Sequence, residues 1–187
     1  MLTQKKDVNE LFDLEIDDYQ GDSYFISGLP TPYLLISMVK STSCPFCMIR
    51  FVELNMEAET LKKAGVSLWV FFNDSSESLR QKFKNYSKPI SENLRIFGSA
   101  QESIRTFFNF KKDYFAMFKT IQSMEQAKVV FKNIGAKSLK TLKDPSLPGD
   151  LLLSTKGEIL LSHASKNFSD HIMVVDIIKK IKALGKV

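Results

Sequence analysis

Residues 33–47 read YLLISMVKSTSCPFC, and the rest of the chain is best interpreted outward from this stretch. The apolar run 33–39 predicts a buried strand, and the segment that begins at Pro45 has the character of a helix. Cys44 and Cys47, the only cysteines, therefore fall where a strand feeds a helix. Amide groups at a helix start stabilise a thiolate, and the two-residue spacing lets the second thiol attack a mixed disulfide formed by the first. The stretch predicts a redox-active dithiol.

The composition is that of one globular domain. The chain has 187 residues, of which 44% are hydrophobic, and such a chain can build one good core. We therefore predict a single domain over residues 1–187. The sequence has no run of about 18 apolar residues, and its start lacks the apolar stretch of a signal peptide, so no membrane partner is expected. Two cysteines placed as a dithiol fit a reducing compartment, which predicts a cytoplasmic location.

The net charge of +5 is unevenly distributed along the chain. Seven acidic residues lie within positions 7–22, and eight lysines lie within positions 111–143. A basic face can attract nucleic acid, anionic lipid or an acidic protein. The lysines recur at helical spacing and are not interleaved with the arginines and aromatic side chains that a nucleic-acid groove uses. We interpret them as a solvated helix face and expect no nucleic-acid partner.

Strands and helices alternate along the chain, which predicts an α/β fold. The N-terminal extension, residues 1–32, contains a predicted hairpin at 14–26. Beyond it we predict strands at 33–39, 67–72 and 94–97, and helices at 45–63, 73–86 and 101–108. In the first of these helices the apolar residues that we expect to face the core are Ile49, Val52, Met56 and Leu61.

The segment 107–143 predicts a helical insert. It opens with a cluster of six aromatic residues: Phe107, Phe108, Phe110, Tyr114, Phe115 and Phe118. Such clusters are usually part of a core, although an apolar patch for a partner or a second copy of the chain would have the same composition. A helix is predicted at 123–134, with Ser123 as its cap and Gly135 beyond its end.

The last forty residues predict a hairpin followed by a helix. The hairpin strands are 151–154 and 159–163, and the helix is expected to be capped by Ser169 or Asp170. Pro148 opens the first of these strands, where a proline is out of place unless its peptide bond has a special role. We therefore predict a cis bond at Leu147–Pro148, which would make a tight turn and expose the backbone of Leu147.

Taken together, these features resemble the thioredoxin superfamily, and within it the bacterial peroxiredoxin-like proteins of the alkyl hydroperoxide reductase/thiol-specific antioxidant (AhpC/TSA) family. The resemblance covers roughly residues 33–184. Its motifs are Ser43–Cys47 after the first buried strand, the strand and polar segment Val70–Ser75, the break at Lys88–Ile90, Leu147–Gly149 before the hairpin, and His163 followed by Ser169–His171. It implies a thioredoxin-like fold, with a central mixed sheet flanked by helices, and an antioxidant oxidoreductase that needs no cofactor.

The resemblance also implies the roles of the two cysteines, in two alternative schemes. In thioredoxin chemistry, Cys44 is the exposed nucleophile and Cys47 the buried resolving thiol. In peroxiredoxin chemistry, Cys47 attacks peroxide and becomes a sulfenic acid, which Cys44 resolves. A typical peroxiredoxin has threonine at the position of Cys44. Both schemes end in the same Cys44–Cys47 disulfide, which an external thiol such as thioredoxin or glutathione would reduce.

Four further residues are predicted to contact the substrate, which is either a thiol or disulfide protein or a peroxide. They are Pro45, Phe46, Leu147 and Pro148. The oligomeric state is left open, a homodimer being one option.

The dithiol has two other interpretations. Zinc needs four N or S ligands, and the only histidines, His163 and His171, lack finger-like spacing, so no metal is predicted. The second is a non-catalytic thioredoxin-fold module that binds a partner through the Phe-rich insert and the lysine face. Thiol reactivity at neutral pH separates this module from an enzyme.

Overall fold

A five-stranded mixed sheet organises the molecule, which we analysed as a computed structural model. The structure describes residues 12–98, Asp113 and residues 146–184. Its strands are β1 (Ile16–Asp17), β2 (Ser23–Tyr24), β3 (Tyr33–Met38), β4 (Val66–Phe71), β5 (Leu94–Phe97), β6 (Gly149–Ser154) and β7 (Ile159–Ala164). Its helices are α1 (Pro45–Lys63), α2 (Ser76–Lys84) and α3 (Val174–Ala183). The predicted α/β class is confirmed.

The order of strands in the sheet is β5-β4-β3-β6-β7. Strands β3, β4 and β5 are parallel, whereas β6 pairs antiparallel with both β3 and β7. Met38 at the end of β3 is opposite Gly149 at the start of β6. This register brings the segment that follows β3, which holds both cysteines, and the segment that precedes β6 to the same end of the sheet.

Each face of the sheet carries its own core, which explains why the central strands are apolar without alternation. Every residue of β3, β4 and β6 is buried. Tyr33 and Leu35 belong to the core that includes α1, α2 and α3, whereas Leu34 and Ile36 belong to the core on the opposite face.

The predicted N-terminal hairpin is present as β1 and β2. The carboxylate of Asp18 closes its turn by accepting hydrogen bonds from the amides of Gln20, Gly21 and Asp22. The amide of Tyr19 donates to the carbonyl of Ile96 in β5 at 2.9 Å. Three residues in and around the hairpin pack into the core that contains Leu34 and Ile36: Phe12, Ile16 and Ile26.

Helix α1 has the predicted bounds but not the predicted buried face. Ile49 is 50% exposed and Met56 is 75% exposed, so their assignment to the core was wrong. The buried side is formed instead by Phe46, Cys47, Arg50, Phe51, Leu54, Ala58 and Leu61. This side departs from a purely apolar pattern because it includes an arginine and a cysteine. Gly65 follows the helix with a positive φ of 74°, where a glycine is favoured.

Helix α3 begins later than predicted. Its N-cap is Met173, so the proposed caps Ser169 and Asp170 were wrong. The Asp170 carboxylate is used elsewhere: one oxygen lies 3.1 Å from Nε2 of His163, and the other accepts the Lys166 amide at 2.8 Å. Helix α2 also starts later than expected, at Ser76, with the side chain of Ser75 as its cap.

Several predictions concern the middle of the chain. The helices at 101–108 and 123–134, the aromatic cluster and the lysine face lie outside the described residues, Asp113 excepted. Within the described ranges, no helix is both long enough and apolar enough to cross a bilayer.

Candidate active site

The loop between β3 and α1 is held by the neighbouring strand. The amide of Asn73, just beyond β4, donates to the carbonyl of Lys40 at 2.7 Å. The Asp74 carboxylate accepts the amide of Thr42 at 2.8 Å and the hydroxyl of Ser41 at 3.2 Å. These bonds fix the backbone that leads into Cys44.

Both cysteines lie at the start of α1, as predicted. Cys44 is the N-cap residue, with extended φ and ψ of −88° and 116°, and Pro45 follows at the first helical position. The first turn holds no acidic residue that would oppose a negative charge. Cys47 Sγ accepts a hydrogen bond from the Lys40 amide at 3.3 Å. Both cysteines are free thiols, and the side chain of Cys47 is hydrogen-bonded to Cys44.

The environment separates the pKa values of the two thiols. The hydrogen bond from the Cys47 side chain lowers the pKa of Cys44, and backbone hydrogen bonds and the charge of Lys40 act in the same direction against burial. Burial holds the pKa of Cys47 well above its ordinary value, and the neighbouring Cys44 adds to this. A negative charge is therefore favoured on Cys44.

One expectation about Cys44 was wrong. We predicted an exposed nucleophile, but Cys44 is only 1% exposed and Cys47 is 0% exposed. Both side chains belong to the core that includes Leu147 and Phe168. A large substrate therefore has to displace covering side chains before it reaches either sulfur.

The Leu147–Pro148 segment lies at the same end of the sheet as the cysteines, but not in the predicted conformation. Within residues 12–98 and 146–184 there is no cis peptide bond, so the predicted cis isomer was wrong. The Pro148 carbonyl accepts the Ser165 amide at 3.3 Å, one step beyond the β6–β7 pairing of Gly149 with Ala164. The segment thus continues the ladder instead of forming a tight turn, and the X–Pro bond keeps the generally favoured trans form.

The predicted substrate contacts differ in accessibility. Pro45 is half-buried, whereas Phe46, Leu147 and Pro148 are buried. Leu147 is therefore not the exposed backbone site that we expected. A role of these four residues in substrate binding stays a prediction.

A buried charged network next to the dithiol helix was missed by the sequence analysis. Asp150 Oδ1 accepts the Ser37 hydroxyl at 2.6 Å and Arg50 Nη2 at 3.2 Å. Its Oδ2 accepts the Ile172 amide at 2.9 Å and lies 3.4 Å from Nδ1 of His171. Although burial opposes it, the charges of Arg50 and His171 and these hydrogen bonds hold the pKa of Asp150 well below its usual range.

This network joins α1, β3, β6 and the segment before α3. Arg50 comes one turn after Cys47 on α1, and Asp150 comes two residues after Pro148. Arg50 also donates to the Ile172 carbonyl at 3.0 Å and to the partly exposed Glu53 at 3.1 Å. The network therefore fixes the dithiol helix relative to the Pro148 strand. The sequence does carry a signal for this network: Asp150 is a single acidic residue in an otherwise apolar strand, and Arg50 is the one arginine of α1.

The histidines take part in this packing. His163 contacts Asp170, and His171 reaches Asp150. In the described part of the chain, no group of three or more His, Cys, Asp or Glu side chains is arranged to hold a metal ion.

The sequence matches no protein-family model and no curated protein. The structure is similar to several solved ones. Peroxiredoxin Q from Xanthomonas campestris gives a TM-score of 0.60 at 17% identity, over 95% of this chain and 95% of the other. A putative thioredoxin from Neisseria meningitidis gives 0.57 at 16% identity, over 92% of this chain and 87% of that one. The chain has a thioredoxin-like fold.

A third similar structure is a secreted Mycobacterium tuberculosis disulfide oxidoreductase, with a TM-score of 0.54 at 10% identity, over 94% of this chain and 98% of the other. At these identities the likeness concerns the fold alone. The predicted resemblance to thioredoxins and peroxiredoxins is confirmed at that level. The dithiol of this chain lies at the start of α1, after β3.

Proposed function

We propose that this protein is a thiol–disulfide oxidoreductase in which Cys44 is the nucleophile and Cys47 the resolving thiol. The observation that carries the proposal is the placement of the two thiols: Cys44 is the N-cap of α1, where the helix start favours a thiolate, whereas Cys47 is fully buried in the first turn and accepts the Lys40 amide. The directions of the two pKa shifts, downward for Cys44 and upward for Cys47, agree with this placement. A lowered pKa makes the thiolate, which is the attacking species, more abundant on Cys44. A raised pKa keeps Cys47 protonated until a mixed disulfide removes the charge of its neighbour.

The reaction balances as a two-electron exchange. The Cys44 thiolate attacks one sulfur of a substrate disulfide, forms a mixed disulfide and releases the first substrate sulfur as a thiolate. Cys47 then loses its proton and attacks Cys44 Sγ, which breaks the mixed disulfide and releases the second substrate sulfur. The protons end on the released thiols. The substrate is reduced to a dithiol, and the protein is oxidised to the Cys44–Cys47 disulfide.

The proposed partners follow from this chemistry. The substrate is a disulfide-containing protein, and an external thiol such as thioredoxin or glutathione regenerates the dithiol by the same exchange in reverse. A reducing compartment such as the cytoplasm would supply that thiol, and repair of oxidised proteins there would be an antioxidant role.

The first test is to oxidise the reduced protein mildly and determine its mass. We expect a loss of two hydrogens in the monomer, because Cys44 and Cys47 lie three positions apart at the start of one helix, a spacing that favours an intramolecular disulfide. Addition of dithiothreitol should restore the original mass. Free thiols that persist under these conditions, or dimers linked through single cysteines, would exclude the proposed cycle.

Peroxide reduction is the competing activity, and its first product would be a sulfenic acid on Cys47. The raised pKa and complete burial of Cys47 disfavour that step. Each cysteine should be replaced by serine in turn and treated with sub-millimolar hydrogen peroxide and a sulfenic-acid trap. Trapping on Cys47 in Cys44→Ser would establish the peroxidase scheme in place of the proposed one.

Iodoacetamide should alkylate Cys44 faster than Cys47 at neutral pH. The thiolate is the alkylated species, and the lowered pKa of Cys44 and the raised pKa of Cys47 make it more abundant on Cys44, so we expect the ratio of the two rates to be clearly greater than one. Quantifying the two labelled peptides by mass spectrometry over time measures this ratio in the intact protein. Equal labelling, or faster labelling of Cys47, would show that the assignment of nucleophile and resolving thiol is wrong.

A further inference from the structure

The dithiol helix begins without a side-chain cap. Cys44 is the N-cap residue of α1, and within the described part of the chain its side chain makes no capping hydrogen bond. A serine, threonine, aspartate or asparagine at this position usually holds the helix start by accepting an amide of the first turn. Here the position belongs to the proposed nucleophile, whose sulfur takes part in exchange instead. The backbone of Cys44 is therefore held from outside the helix.

The turn before Cys44 supplies this support, and the Asp74 carboxylate binds the turn. The Cys44 amide donates to the Ser41 carbonyl at 3.0 Å, and the Ser43 amide donates to the Ser41 hydroxyl at 3.1 Å. One oxygen of Asp74 accepts a hydrogen bond from that same hydroxyl at 3.2 Å, and the other accepts the Thr42 amide at 2.8 Å. A single carboxylate thus binds two of the three residues of the turn.

The backbone around Asp74 is itself closely packed. The amide of Asn73, which precedes it, donates to the Lys40 carbonyl at 2.7 Å. Gly98, directly after β5, lies against the same segment: a Cβ atom at Gly98 would be 3.0 Å from the Asp74 carbonyl oxygen and 2.9 Å from the Ser76 amide nitrogen. No side chain fits there unless the backbone shifts. The carboxylate therefore comes from a segment whose own position is fixed.

The loop that Asp74 binds is connected to both thiols. At one end of the loop, the Lys40 amide donates to Cys47 Sγ at 3.3 Å. At the other end, the chain continues directly into Cys44. Movement of the 41–43 turn would therefore change the position of Cys44 relative to Cys47.

We propose that Asp74 is a positioning residue for the dithiol: its carboxylate holds the 41–43 turn and thereby raises the effective concentration of Cys44 and Cys47 toward each other. The inference rests on the proposed function and deepens it, since it names a group that supports the exchange without touching either sulfur. Groups that are held in place lose less freedom when they react than mobile groups do. Without the carboxylate, the reduced loop gains freedom that disulfide formation removes again, so the disulfide becomes easier to reduce.

The test is the equilibrium with glutathione, in which the Cys44–Cys47 disulfide forms while glutathione disulfide is reduced to two glutathione molecules. The oxidised fraction at each glutathione ratio is measured by labelling the free thiols and weighing the intact protein. We expect Asp74→Ala to lower the equilibrium constant for disulfide formation roughly threefold to tenfold. A residue that only stabilised the fold would stabilise both redox forms equally and would leave this constant unchanged.

Asp74→Asn separates the hydrogen bonds from the charge. Its amide oxygen can accept the Thr42 amide, and its amide nitrogen can donate to the Ser41 hydroxyl, so the constant should stay close to that of the wild type. A nearby negative charge disfavours a thiolate, so loss of the charge alone would favour the reduced form in both variants. Equal shifts in Asp74→Asn and Asp74→Ala would therefore overturn the positioning role.

Ser41→Ala keeps the carboxylate and removes one of its two donors. It should lower the constant in the same direction as Asp74→Ala, by less, and it tests the inference if Asp74→Ala does not fold. The matched control is Asp17→Ala, which removes an exposed carboxylate that also accepts a serine hydroxyl, that of Ser23 at 2.6 Å, in the N-terminal hairpin. This control should leave the constant unchanged, and thermal melting checks the fold of every variant.

The outcomes separate this inference from the proposed function. Wild-type constants in both Asp74→Ala and Ser41→Ala would overturn the role of Asp74 and leave the proposed function intact. A wild-type protein that forms no Cys44–Cys47 disulfide at any glutathione ratio would instead overturn the proposed function.

Discussion

Replacing Cys44 with serine is expected to lower the rate of disulfide reduction by roughly a thousandfold or more, because the attacking group itself is lost. The measurement is the release of thiol from a disulfide-linked fluorescent peptide, with dithiothreitol as the reductant. The matched control is Ser43→Ala, which changes an exposed neighbour without touching either sulfur.

Cys47→Ser should fail at a different step. The first attack by Cys44 proceeds, but the mixed disulfide cannot be resolved within the protein. We therefore expect a covalent adduct between the peptide and Cys44, visible in the mass of the intact protein and removed by dithiothreitol. An adduct on Cys47 in Cys44→Ser, with none in Cys47→Ser, would reverse the two roles.

Asp150→Ala is expected to destabilise the protein by about 3–5 kcal/mol, because removing one partner of a buried ion pair leaves the other charge uncompensated. Arg50 is the charge left behind, and the Ser37 hydroxyl and Ile172 amide lose their acceptor as well. Urea unfolding followed by circular dichroism measures the change. Asp176→Ala, which removes a largely exposed carboxylate paired with Lys179, is the control and should cost at most about 1 kcal/mol.

A double variant separates the ion pair from simple loss of packing. Asp150→Ala combined with Arg50→Met removes both charges, so it should be more stable than Asp150→Ala alone. If the double variant loses the sum of the two single losses, the pair is not coupled and the uncompensated charge is not the cause.

The same carboxyl group predicts the acid sensitivity of the fold. The pKa of Asp150 is lowered in the folded state from an ordinary value of 3.8. Its contribution to the free energy of unfolding is therefore fully present above that ordinary value and is lost as the pH falls toward the folded pKa. Between pH 5 and pH 2, wild type should lose more stability than Asp150→Asn, and equal losses would contradict the assignment.

The strand, loop and helix that hold the dithiol could be predicted from the sequence, because the sequence patterns that specify them are local. The run 33–39, the spacing of Cys44 and Cys47 and the proline at the helix start each follow from short-range backbone and side-chain preferences. The order of the two thiol pKa values also followed from position along the helix. Their burial did not, since it depends on side chains such as Leu147 and Phe168, which are distant in sequence.

The parts that could not be predicted all depend on tertiary contacts. Asp150 follows a Pro–Gly pair and looked like the start of a hairpin, and only the pairing with β3 places Ser37 opposite it. Arg50 was not assigned to the buried face of α1, and the structure buries it while leaving Ile49 and Met56 exposed. The Leu147–Pro148 isomer was misassigned because a proline before a strand was taken to require a turn, whereas the β7 side of the sheet accepts it in extended form.

The hydrogen bond from Tyr19 to Ile96 bears on how the edge of the sheet is protected. Among the described strands, β5 is an edge strand of the sheet. An edge strand has unpaired backbone groups that can pair with a strand of another chain and lead to aggregation. Tyr19 of the N-terminal hairpin occupies the Ile96 carbonyl on that edge. Three apolar residues in and around the hairpin, Phe12, Ile16 and Ile26, pack in the core on one face of the sheet. The N-terminal hairpin thus covers part of this edge, and we expect its deletion to reduce solubility before it affects the chemistry of the dithiol.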